Sequence, residues 1–404
     1  MPLEPNRKAG SGRQFVAILL SVCLGLFLAE AFVSFADDSL ILFFGIHVLA
    51  IIRGIVFLLA ILISMLIYAL MGLTPMIPKR LFVPVTLFNV VAGLAAIPLS
   101  IYFYNRMQRV AWLISLCQVV LGLGILYRLQ GGFKLRWPLM PERRLGDRGF
   151  SWLNLLAFLL LNVFVAVPAV IAYLALCGGL AVNHFTEGFL TLRPGGLTVQ
   201  MRKYVRDDGK TVELFPMAHV GDPGFYHKIS ESFPTNSIIL MEGVTDDRNL
   251  LTNKITYKRM AATLGVAEQH EEFHPQGQLV YADVDVAQFT TNTIDLLNLV
   301  MLIHSKGVNA ENLLKLLEYS PSPDFQEQLF NDLLRKRNRR LLEELHSRLS
   351  ETENIIVPWG VAHMPEIAKE IQKSGFHLDQ TREYVVIRFG HVGNRGKSAR
   401  KTPD

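Results

Sequence analysis

Three ionisable residues, His219, Glu242 and His363, each follow a short apolar run and stand at the edge of a turn. Met217-Ala218-His219 closes a strand pattern, and Asp222-Pro223 just beyond it reads as a helix start, with Asp222 as N-cap and Pro223 at the first helical position. Residues 237–240 read as a short buried strand ending in Met241-Glu242-Gly243. Residues 354–357 read as another, followed by Trp359-Gly360-Val361-Ala362-His363-Met364-Pro365-Glu366, where a proline again opens a helix, 366–373, stopped by Gly375. In sheets with helical crossovers, ligand sites form beyond the carboxyl ends of the strands, so the three residues are expected on one edge. Two imidazoles and a carboxylate can hold one divalent metal and leave a position for water. Any one of them alone would read as a backbone-bonded histidine or a solvated glutamate, and it is the threefold recurrence that singles out the set.

Two more conspicuous patterns carry less chemistry. His270-Glu271-Glu272-Phe273-His274 matches the HExxH pattern of zinc proteases, which needs both histidines on one face of a continuous helix. Pro275 drives His274 out of helical geometry and Gly277 marks a turn, so the segment is read as a charged helix end. Asp283 and Asp285 precede an amphipathic stretch, 286–304, and Asp285 is expected to cap it. Arg335-Lys336-Arg337-Asn338-Arg339-Arg340 lies inside a helical pattern, 325–349, whose apolar face is leucine-rich. Most of that charge is expected on a solvated face, and without interleaved aromatics no nucleic-acid partner is implied.

The elements that would position these residues fill only half of the chain. Of 404 residues, 50% are hydrophobic and 19% charged, but the two halves differ. Residues 1–182 hold 14 Lys and Arg against 6 Asp and Glu, while 183–404 hold 26 against 29. The basic excess therefore sits in the apolar half, together with all three cysteines, whereas ten of the eleven histidines lie in the polar half. A disulfide framework or cysteine zinc site in the polar half is excluded.

Apolar runs at 14–35, 81–104, 110–127 and 152–181 are long enough to cross a hydrocarbon core, and a fifth run, 40–71, holds a span near 50–70. The first continues to Asp37 and Asp38 instead of a small-residue cleavage site, so it is read as a retained helix. Arg7, Lys8 and Arg13, then Lys79 and Arg80, then Arg128, Lys134, Arg136, Arg143, Arg144 and Arg148 mark three cytoplasmic segments. The first outward loop is expected to carry Asp37 and Asp38, and the second Arg106 and Arg109. Five spans with the N-terminus inside would place the polar half outside the inner membrane of a bacterial cell. Glu30 and Arg53 are expensive in lipid and are expected to pair structurally rather than to form an ion or proton path. The domain expectation is a membrane domain over 1–182, a linker over 183–196, an α+β domain with a central sheet flanked by helices over 197–389, and a disordered basic tail over 390–404.

Residues 197–389, about half of the chain, resemble the TraB/GumN family, which includes the Tiki metalloproteases and is related in fold to erythromycin esterases and ChaN-like haem-binding proteins. The resemblance rests on Gly360-Val361-Ala362-His363 as one Gly-x-x-His motif, Glu242 in Leu-Met-Glu-Gly, Arg337-Asn338 on a long helix, and Asp285 in Ala-Asp-Val-Asp. The other histidine motif departs from the pattern, Pro216-Met217-Ala218-His219 having proline where the family has glycine. The resemblance implies metal-dependent peptide hydrolysis, with His219 and His363 binding Mn, Co or Zn and Glu242 serving as third ligand or general base. Arg337 would stabilise the developing oxyanion and Asn338 would orient it or the substrate. The implied partners are the lipid bilayer and a peptide or protein substrate, and nothing in the pattern sets an oligomeric state. The alternative is a non-catalytic module of the same fold that captures a peptide signal, a metal or haem.

Overall fold

The computed structural model describes residues 7–132, 135–252, 257–306 and 324–390; Lys134 and the tail from residue 391 onward lie outside the described residues. The chain divides into two compact units, Met1–Ala181 and Val182–Asp404.

The first unit contains α1 (Arg7–Phe44), α2 (Ala50–Leu73), α3 (Lys79–Phe103), α4 (Met107–Gln130) and α5 (Trp152–Leu161), and α6 (Val167–Phe185) runs on from it. A π-helical stretch, Asn162–Ala166, joins α5 to α6. Four stretches, Gly12–Phe44, Ala50–Leu73, Lys79–Gln130 and Trp152–Phe185, are long and apolar enough to cross a membrane. The third, of 52 residues, is broken in the middle, where Phe103 leaves helical geometry (φ −128°, ψ 34°) before the 3-10 turn Tyr104–Arg106. Its two ends come back to the same place. Lys79 bonds Asn154 at the head of α5, and Gln130 Nε2 donates to the Leu139 carbonyl (2.9 Å) in the segment leading there. That segment is tied to α1 by Arg13 and Asp147 (2.7 Å) and to the end of α2 by Gly146 N–H on the Met76 carbonyl (2.8 Å). At the opposite end, α1 outruns its expected boundary. Asp37 and Asp38 lie within the helix and are 2% and 1% exposed, not in a loop. There Arg53 Nη1 meets Asp37 (3.1 Å) and Asp38 (2.7 Å), and Glu30, its expected partner, is left to other groups.

The second unit is an α/β domain around a mixed sheet. In chain order it contains β1 (Leu190–Arg193), β2 (Gly196–Val205), β3 (Thr211–Met217), β4 (Val220–Gly221), α7 (Pro223–Ser232), β5 (Ile238–Met241), α8 (Lys258–Leu264) and β6 (Ala267–Glu268). There follow α9 (Gln269–Glu272), β7 (Gln278–Tyr281), α10 (Thr291–Lys306), α11 (Phe325–Phe330), α12 (Arg337–Arg348), β8 (Asn354–Gly360), α13 (Met364–Lys373) and β9 (His377–Arg388). The sheet order is β1-β2-β3-β8-β5-β7, with β9 along the other edge of β2, while β4 and β6 pair separately. The expected linker, 183–196, holds the end of α6, to Phe185, and β1, from Leu190. Gly196 allows the tight turn from β1 into the antiparallel β2. It takes φ +151°, and a Cβ there would lie 2.2 Å from the Ile387 carbonyl oxygen of β9.

β3, β8, β5 and β7 are mutually parallel. Their apolar residues alternate between two cores, as a two-residue period requires. Leu214, Ile238, Leu240, Ile355 and Val357 pack with Leu341 and Leu345 of α12 and Ile367 and Ile371 of α13. Phe215, Ile239 and Ile356 pack on the other face with Phe225, Ile229 and Phe233. β8 is buried on both faces, which explains its unbroken apolar sequence.

Candidate functional site

Because these four strands run the same way, their carboxyl ends Met217, Gly360, Met241 and Tyr281 lie along one edge. The residues that follow them are His219, His363, Glu242 and Asp283. The edge thus gathers the three expected residues plus an aspartate that the sequence reading sets aside.

Arg337 ties the edge together from the first position of α12. Its Nη2 donates to Glu242 Oε1 (2.7 Å) and Asp283 Oδ2 (2.6 Å), its Nε to Asp283 Oδ1 (3.0 Å), and its Nη1 stands 3.3 Å from His363 Nε2. The guanidinium lies over the Trp359 ring at 5.5 Å. A π-helical stretch, Asn331–Lys336, precedes it. Such a stretch shifts the face that the following turn presents. Arg337 and the buried Asn338 turn inward, while Arg335, Arg339 and Arg340 stay exposed. The solvated-face expectation therefore holds for those three and fails for Arg337.

His363 is 4% exposed and held on both sides. Its Nδ1 lies 2.6 Å from Asn338 Oδ1, and Asn338 in turn donates to Glu366. A carbonyl oxygen only accepts, so Nδ1 carries the proton and Nε2 presents a lone pair. Burial, reinforced by the nearby guanidinium of Arg337, pushes the His363 pKa down to about 4, which keeps the ring neutral. Burial also pulls the Arg337 pKa down, but its hydrogen bond to Asp283 and the charges of Glu242 and Asp283 prevail and raise it. One guanidinium against two touching carboxylates leaves one negative charge in excess.

Both oxygens of Glu242 are engaged, Oε1 by Arg337 and Oε2 by the Gly360 N–H at 2.6 Å. Gly360 has a local reason to be glycine, since a Cβ there would stand 3.2 Å from Glu242 Oε2 and 3.6 Å from His363 Cδ2. Pro216, the departure in the first motif, lies within β3 in register with Trp359. The pairing of β3 with β2 ends at Leu214, so Pro216 sits where the strand has one neighbour and its missing N–H is tolerated.

His219 is exposed and stacks on Tyr257, with centroids 4.7 Å apart and planes 7° from parallel. Burial raises the Tyr257 pKa, and the charges of Glu242 and Glu268 raise it further, so the phenol belongs to the same electrostatic neighbourhood. Asp285 caps the turn Val286–Gln288 through the Ala287 N–H (2.8 Å) and bonds none of the edge residues. Asp222 stands at the N-cap of α7 without a side-chain cap bond; its Oδ2 accepts from the Arg388 N–H instead (3.3 Å). In the HExxH segment α9 ends at Glu272, and His270 and His274 take separate partners, Glu268 and the Glu271 carbonyl.

As placed, no three His, Cys, Asp or Glu side chains among the described residues form a ready metal cluster. The pair His363 and Glu242 nonetheless has suitable spacing. Nε2 and Oε1 are 3.7 Å apart, where two donors about 2.1 Å from one tetrahedral ion stand about 3.4 Å apart. The donor chemistry of His363 and Glu242 and the excess negative charge fit a divalent cation.

Sequence reasoning missed Asp283 and Tyr257. Asp283 follows a strand much as Glu242 does, but the sequence reading gave a role only to its neighbour Asp285, as the cap of the stretch that follows. Tyr257 carries no local pattern at all. No protein-family model, curated protein or solved structure matches this chain.

Proposed function

We propose that the chain is a membrane-anchored, metal-dependent hydrolase, with peptides as the substrate class implied by the family resemblance. The observation that carries this reading is the 3.7 Å approach of His363 Nε2 to Glu242 Oε1 at adjacent strand ends, with the far side of His363 fixed by Asn338. His363, Glu242 and His219 would hold the cation, which when bound supplies Lewis acidity toward water and a substrate carbonyl. Glu242 would serve as ligand through Oε1, the oxygen 3.7 Å from His363 Nε2, while the Gly360 N–H holds Oε2. Asn338 and Glu366 hold the His363 tautomer. Asp283 anchors the guanidinium of Arg337, leaving Nη1 to face charge that develops at the site. Tyr257 orients the His219 ring by stacking.

The membrane unit is read as five crossings, the break at Phe103 and the return of both ends of Lys79–Gln130 to one segment supporting a hairpin. The positive-inside rule assigns the end bearing Arg13, Lys79, Arg128 and Arg144 to the cytoplasm and the second unit to the extracytoplasmic side.

One observation favours the rival binding-module reading, namely that Arg337 Nη1 stands against the same Nε2 lone pair that a metal would need. The test is direct. The purified full chain, stripped by chelator and titrated with Zn, Mn or Co, should take up one equivalent and then cleave members of a peptide library. His363→Ala should abolish uptake, while His270→Ala and His274→Ala retain it. Peptide binding without uptake or cleavage would establish the binding module instead.

A further inference from the structure

The connection between α4 and α5, residues 131–151, belongs to neither apolar stretch, and its apolar side chains divide in two. Leu139, Met140 and Leu145 are at most 5% exposed and pack with Leu20 and Leu24 of α1, Met71 of α2 and Leu129 of α4. Leu135, Trp137 and Phe150 are instead 82%, 64% and 57% exposed. Trp152, at the head of α5, is 74% exposed and meets Phe150 edge-on, with centroids 5.0 Å apart. Lipid accounts for apolar exposure along a spanning helix, but these rings stand where Lys79–Gln130 ends and Trp152–Phe185 begins. Exposed apolar groups gathered in a connection mark an interaction surface.

Arginines are interleaved with the rings. Arg136 precedes Trp137, Arg148 lies two residues before Phe150, and Arg128, Arg143 and Arg144 complete a set of five, all exposed. The fold uses their main chain and leaves their charge. The carbonyls of Arg128, Arg136 and Arg148 accept from Arg144 Nη2 (3.4 Å), Gln130 Nε2 (3.0 Å) and Thr74 Oγ1 (3.4 Å). Of the two acids in the same stretch, Asp147 is taken by Arg13 and Glu142 is exposed, so among the described residues no ion pair neutralises any of the five. Like charges held on a fixed segment create a field that attracts anions. Where apolar spans end, a bilayer presents its headgroups, which is the level at which tryptophan settles and basic residues meet anionic lipid. A guanidinium also matches phosphate oxygens through paired N–H donors. A protein partner would have to place these charges in the core of its interface, where charge is depleted. We propose that the connection between α4 and α5 is a docking surface for anionic phospholipid, with the exposed rings seated among the headgroups and the five arginines holding their phosphates. This rests on the reading of the apolar stretches as spans, which the test below measures separately.

The test is quenching of tryptophan fluorescence in the full chain, reconstituted in phosphatidylcholine vesicles that carry a small share of brominated phosphatidylglycerol or, in parallel, of brominated phosphatidylcholine. The second lipid reports contact with the bilayer as such, and the excess quenching by the first reports preference for the anionic headgroup. Phosphatidylglycerol should be preferred about tenfold or more, at about fivefold per engaged arginine, and the preference should fall as sodium chloride is raised. The guanidiniums of Arg143 and Arg148 make no bond to the described residues, so Arg143→Gln with Arg148→Gln should cut the preference about fivefold or more and leave the fold intact. Arg109→Gln, at the other end of α4, should leave it unchanged. Trp137→Phe with Trp152→Phe should abolish the excess, because Trp112 lies in the first turns of α4 and Trp359 in β8. Equal quenching by the two lipids, or a preference that survives in the double arginine variant, would overturn the proposal. So would a preference that inorganic phosphate removes where chloride at equal ionic strength does not, which would make the ligand a soluble phosphate. Quenching by neither lipid would overturn the assignment of the spans and the proposal with it.

Discussion

Two residues hold the edge of the sheet in its observed state, and each can be tested. His363 is pushed down to about 4 when folded, against 6.5 for an ordinary histidine. Between those values the unfolded chain binds a proton that the folded chain does not. Its contribution to stability is therefore complete above about pH 6.5 and is lost as the pH falls toward 4, by on the order of 3 kcal/mol. A His363→Gln chain should show a flatter thermal-stability profile across that window, and a profile parallel to that of the unmodified chain would mean that the folded ring is protonated. Arg337 is the other. Its planar fork meets Asp283 through two nitrogens and Glu242 through one, a pattern that lysine cannot reproduce. Arg337→Lys should lower peptide turnover by about a hundredfold, while Arg339→Lys and Arg340→Lys, on exposed positions, leave it unchanged. Arg337→Ala should in addition destabilise the domain by about 3–5 kcal/mol, because it strands two carboxylates. Equal turnover in all three lysine variants would remove Arg337 from the site.

At the scale of elements, the site depends on how strands end. β8 ends at Gly360, where a Cβ would stand 3.2 Å from Glu242 Oε2 and 3.6 Å from His363 Cδ2. Gly360→Ala places a methyl group 3.2 Å from Glu242 Oε2, the oxygen that accepts the Gly360 N–H. It should weaken metal uptake about tenfold or more while costing little in fold, since Gly360 has an ordinary negative φ. Uptake unchanged in this variant would show that Glu242 is not part of the binding set. On α12 the decisive feature is the π-helical stretch Asn331–Lys336, which lets one basic run present Arg337 inward and its neighbours outward.

For the whole molecule the open question of consequence is the side of the membrane on which the second unit stands. Cysteine at position 379, exposed on β9, in a chain with Cys23, Cys117 and Cys177 replaced, should react with an impermeant thiol reagent in intact cells. Reaction only after lysis would mean an even number of crossings and would relocate the hydrolase reading to the cytoplasm.

The sequence by itself determined the two unlike halves, the long apolar helices, the alternation of strands and helices, and the placement of His219, Glu242 and His363 after strands. These are legible because hydrophobic period and turn chemistry act over a few residues. Tertiary structure alone decided which distant charges meet. Arg53 chose Asp37 and Asp38 over Glu30 because α1 extends past its expected end. Arg337 left a solvated pattern for a buried one because Asp283 and Glu242 compensate it across 54 and 95 residues of chain. Tyr257 joined the site only through its stacking on His219. Pairing energy depends on separation in space and on burial, and neither quantity is written in the local order of residues.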